Sequence, residues 1–136
     1  MEFHEQWINW VLETADETVI SKIGQRCYKD SEWVKKLPTY SGEKDIHQII
    51  TFLQKILPDF IYQSTEKGFI VDLNEKQCFC PLVQSGITKN SNLCHCTKTF
   101  DQSMYQHLLK TEVNVKVLKT ILKGDDSCVF EVTLLD

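Results

Sequence analysis

The chain has 136 residues, 42% hydrophobic and 25% charged, with a net charge of −4 and a pI near 5.5. That is enough chain for one domain with its own core, and residues 1–136 read as a single domain. The acidic balance, with no basic run longer than two residues, argues against nucleic acid as a partner. No apolar run approaches the ~18 residues needed to span a membrane, and the opening "MEFHEQWINWVLETADE" lacks the form of a signal peptide. These features place the protein in the cytoplasm, where thiols stay reduced.

Phe3, Trp7, Trp10, Val11 and Thr14 share a helical face, which predicts an amphipathic helix over 2–14. "TADE" (14–17) has the form of a capping box, with Thr14 as N-cap and Glu17 reaching back. It starts a second helix carrying Val19, Ile20, Ile23 and Cys27 on one face. A turn of helix and a loop occupy 31–42. Ile46, Ile49, Ile50, Leu53, Ile56 and Leu57 then mark a strongly periodic helix closed by Pro58. Residues 1–58 are therefore mainly helical.

From 67 the pattern changes to sheet plus helix. "KGFIVDL" (67–73) and "KQCFC" (76–80) read as strands joined at Asn74-Glu75, with Val71 opposite Cys78 and Phe69 opposite Cys80. A polar loop (84–92) leads to a helix from about Thr97 to Leu109, with Phe100, Met104 and Leu108 on one side. Strands at 113–122 and 127–135 flank the turn "KGDD". Helices first and strands later predict an α+β fold, with N-terminal helices packed on a C-terminal antiparallel sheet and one intervening helix.

Six cysteines carry the chemistry. Cys78/Cys80 and Cys94/Cys96 form two Cys-x-Cys pairs separated by 13 residues. Cys78 and Cys80 share a strand face, as strand side chains alternate. Cys94 and Cys96 precede a helix N-terminus, which favours thiolate. Cys128 lies on an inward face with Phe130, Val132 and Leu134. Four or five converging thiolates suit zinc, although Cys-x-Cys is tighter than the usual zinc knuckle. An iron–sulfur cluster is a lesser option, and disulfides, for example of Cys78 or Cys80 with Cys94 or Cys96 across the loop, form if the protein meets oxidant. Free cysteine also packs as a small hydrophobe, and Cys27, on an apolar helix face, reads first as core.

The histidines and acids read more blandly. His95 falls between two candidate ligands and points the other way in an extended segment. His107 and Asp101 can serve a thiol as base and orienter, but read as solvent-facing. His4 and His47 have no matching partner, and "GDD" (124–126) is a turn first. The tryptophan and Ile/Leu stripes read as core, or as the lining of an apolar cavity.

"CHCTKTFDQSMYQHLLKTEVNVKVLKTILKGDDSCVFEV" resembles the vinyl-reductase-type domain of methanogen proteins and of bacterial sensors of aromatic compounds. The shared plan is a Cys before a helix, a long strand, and a G-x-x-x-C hairpin leading into an apolar strand. It is also similar to the tail of aminothiazoline-carboxylate hydrolase-like proteins. "GQRC", "CFCPLV", "CHCT" and "ILKGDDSCVF" together resemble a poorly characterised bacterial family. The sensor resemblance implies zinc held by Cys94 or Cys96 and by Cys128, beside a small-molecule pocket. The chain departs from that plan by having Val117 and Thr120 where the family has an acidic ligand and another Cys, a gap that Cys78 and Cys80 can fill.

Two functions compete. One is a small-molecule-binding or sensory domain for an apolar or aromatic ligand, with a cysteine-based zinc site and no turnover; it can act as a homodimer or through a partner protein. The other is a hydrolase of a small carbon–sulfur or amide compound, using Cys94, Cys96 or Cys80 as nucleophile or a zinc-bound water. The binding protein is the reading adopted.

Overall fold

A computed structural model of the chain describes residues 3–74 and 93–135; the side chains of residues 3–5, Cys27 and residues 93–96 lie outside that description. The described elements are α1 (Phe3–Thr14), α2 (Glu17–Lys29), α3 (Glu32–Lys35), α4 (Ile46–Ile56), β1 (Ile61–Ser64), β2 (Gly68–Asp72), α5 (Leu93–Leu109), β3 (Val113–Lys119) and β4 (Val129–Leu134). The sheet is antiparallel, in the order β1-β2-β4-β3. The fold is α+β, with helices lying on the sheet as the periodicities predict.

Register follows from strand alternation. Tyr62, Val71, Phe130 and Val117 form one row across the four strands, and Ser64, Phe69, Val132 and Val115 form the next. Most of these side chains are buried against Ile49, Leu53, Met104, Tyr105 and Leu108 from α4 and α5. The other face carries Gln63, Ile70, Glu131 and Lys116, all half-buried or exposed. α4 packs on β1 and β2, α5 packs on β3, and α2 runs along α5.

Three local expectations are corrected. The N-cap of α2 is Asp16, whose carboxylate accepts from Val19 N at 2.9 Å, while Thr14 Oγ1 donates to Trp10 O at 2.8 Å. Thr14 closes α1 instead of opening α2. On α2, Ile20 is buried but Val19 and Ile23 are exposed, so the inward face is rotated from the one predicted. On α1, Ile8 and Leu12 pack inward with Ala15, Ile20 and Leu122, and Trp7 and Trp10 face out.

The strand β1 was missed by the sequence pattern, and its presence changes the sheet. One edge of β2 pairs with β1 and the other with β4. Val71 lies opposite Tyr62 and Phe130, and Phe69 opposite Ser64 and Val132. Both edges of β2 are therefore taken by described strands, whereas the expected strand 76–80, with Cys78 and Cys80 as the partners expected for Val71 and Phe69, lies outside the described residues.

Candidate functional site

The connection from β3 to β4 fixes Cys128. Thr120 Oγ1 accepts from Leu122 N at 3.2 Å and caps a single 3₁₀ turn, Ile121–Lys123. Gly124 ends it at φ 97°, a left-handed conformation that glycine adopts without a Cβ clash. Asp125 then folds back, its carboxylate accepting from Thr120 N at 2.9 Å and its own N–H donating to Thr120 O at 3.1 Å. "GDD" is thus a turn, as expected, and Thr120 serves its geometry.

Cys128 lies just before β4 and is 7% exposed, on the same inward side as Phe130 and Val132. Its carbonyl accepts from Leu73 N at 3.0 Å, so the pairing continues past the end of β2. Asp72 pins the same corner: its Oδ1 accepts from Ser127 Oγ and from Asn74 N, each at 2.8 Å. The chain therefore leaves the sheet toward residues 75–92 directly beside Cys128.

Asp101, on α5, is 5% exposed and lies near the Cys128 thiol. This corrects the expectation that it faces solvent. Burial, and secondarily the neighbouring thiol, push its carboxyl up from 3.8 to about 8. Tyr105, one turn further along α5, is buried and hydrogen-bonded to Tyr62 on β1. Tyr62 Oη in turn donates to Leu57 O at 3.3 Å. Burial raises both phenols well above their ordinary range, and Asp101 adds to the shift. The inward corner of the fold thus holds a carboxyl, a thiol and two phenols, enclosed by Phe69, which meets Tyr105 edge-on at 5.4 Å and Tyr62 at 5.9 Å.

The helix wheel held the signal for Asp101. Met104, Tyr105 and Leu108 follow it at i+3, i+4 and i+7, which places Asp101 inside the apolar stripe.

The other predicted residues distribute as follows. Cys78 and Cys80 lie outside the described residues, as do the side chains of Cys27, Cys94, His95 and Cys96. The α5 backbone begins at Leu93, four residues earlier than predicted, so Cys94 and Cys96 belong to its first turn instead of preceding it. His107 is half-buried near the ring of Tyr28 (6.5 Å between centroids) and not solvent-facing. Its buried Nε2 has no hydrogen-bond partner among the described residues. Among the described residues, no three His, Cys, Asp or Glu side chains converge as a metal site would require. An open groove of about 580 Å³, lined by Lys44, Glu66, Lys67 and Thr133, lies at the far end of the sheet from Cys128. No described helix is long and apolar enough to cross a membrane.

Fold and site together define an α+β protein with helices on one face of a four-stranded antiparallel sheet and a buried carboxyl–thiol pair at one corner. The chain belongs to DUF6144, a family of unknown function whose model matches residues 14–136. No curated protein matches it.

Proposed function

We propose that this is a cytoplasmic small-molecule-binding protein in which Asp101, Cys128 and further cysteine thiolates hold one zinc ion, beside a site for a small apolar or aromatic ligand. The observation that carries the reading is the burial of Asp101 beside Cys128. Two acids buried together must stay protonated or be offset by a cation, and no cation among the described residues offsets Asp101. Zinc satisfies both, since it accepts sulfur and carboxylate oxygen in one tetrahedral shell. The described residues supply two donors. The remaining two come, on this reading, from Cys78, Cys80, Cys94 and Cys96. Cys78 follows Leu73 by five residues, a reach of at most ~18 Å. Cys94 and Cys96 start the helix that carries Asp101. A carboxylate ligand weighs against an iron–sulfur cluster, which prefers four thiolates. The resemblance to sensor domains assigns Cys128 the same role.

The hydrolase remains the second reading for one reason. A carboxyl held protonated near neutral pH beside a thiol is a competent general acid.

Metal content and free thiols, measured together on protein purified under reductant without chelator, test the choice. The zinc site predicts about one zinc per chain, protected thiols released by chelator, and similar, non-additive metal loss in D101N and C128S. Metal-free protein with every thiol reactive would discard it, and a single hyperreactive thiol would favour the hydrolase.

A further inference from the structure

We draw no further inference here: the strongest candidate, the exposed surface patch that Trp7 and Trp10 form on helix α1, carries none because nothing in the structure shows what covers it.

Discussion

Replacing Asp101 by Asn removes an ionisable proton from the buried corner while keeping the shape of the side chain. In metal-free protein the folded state holds this carboxyl at about 8, against 3.8 for an ordinary aspartate. The folded chain therefore binds more protons than the unfolded chain between these values. The stabilisation is complete below about pH 4 and is lost as pH rises toward about 8. The slope is about 1.36 kcal/mol per pH unit, so wild type should lose about 4 kcal/mol relative to D101N between about pH 5 and about pH 8. That is a large part of the 5–15 kcal/mol typical of a domain. Urea denaturation of both proteins after chelator and reductant treatment, across this range, gives the difference directly, and titration of the other groups cancels in it. A difference that stays constant with pH would refute the assignment of a raised carboxyl. In zinc-loaded protein the sign should reverse, because the metal needs the ionised carboxylate and stability then grows with pH.

Further substitutions test the local geometry. Asp16→Ala should cost about 1 kcal/mol in urea unfolding and Thr14→Ala much less, because only Asp16 caps α2. Gly68→Ala would place a Cβ 1.9 Å from the carbonyl oxygen of Val132 on the neighbouring strand, and a loss of about 2–4 kcal/mol is expected. Gly124→Ala meets no atom within 4 Å but must adopt φ 97°, so thermal melts should show a smaller loss of about 1 kcal/mol. Tyr105→Phe deletes the hydroxyl bonded to Tyr62 and should cost about 1–2 kcal/mol in the same melts, with circular dichroism unchanged.

Most of the architecture was legible where one periodicity dominated. The spacing of Ile46 to Leu57 predicts α4, and the alternation through Phe69, Val71, Phe130 and Val132 predicts the inward rows of β2 and β4. β1 escaped because four residues following Pro58 and Phe60 carry too little alternation to announce a strand. The face of α1 was misread because apolar residues lie on both sides, and only the position of Ile20 and Leu122 decides which side turns inward. Asp101 reads as solvent-facing in the sequence, although its position on the helix wheel lies within the buried stripe. Helix position is the better guide than the usual solvent preference of an acid, since the stripe sets which side chains turn inward. The cysteine pattern, by contrast, was visible at once, and Cys128 falls on the predicted inward face.

The strand order has a consequence for biosynthesis. β4 is made last of the sheet yet lies between β2 and β3, and its register with β2 joins residues about 60 positions apart in the chain. A nascent chain that has passed β3 holds β2 and β3 with no partner between them, and the core row of Val71 and Val117 stays open until Phe130 leaves the ribosome. The sheet therefore cannot close progressively during translation. It closes in one late step, when β4 inserts, and before that step the exposed strands are a target for chaperones and for wrong pairing.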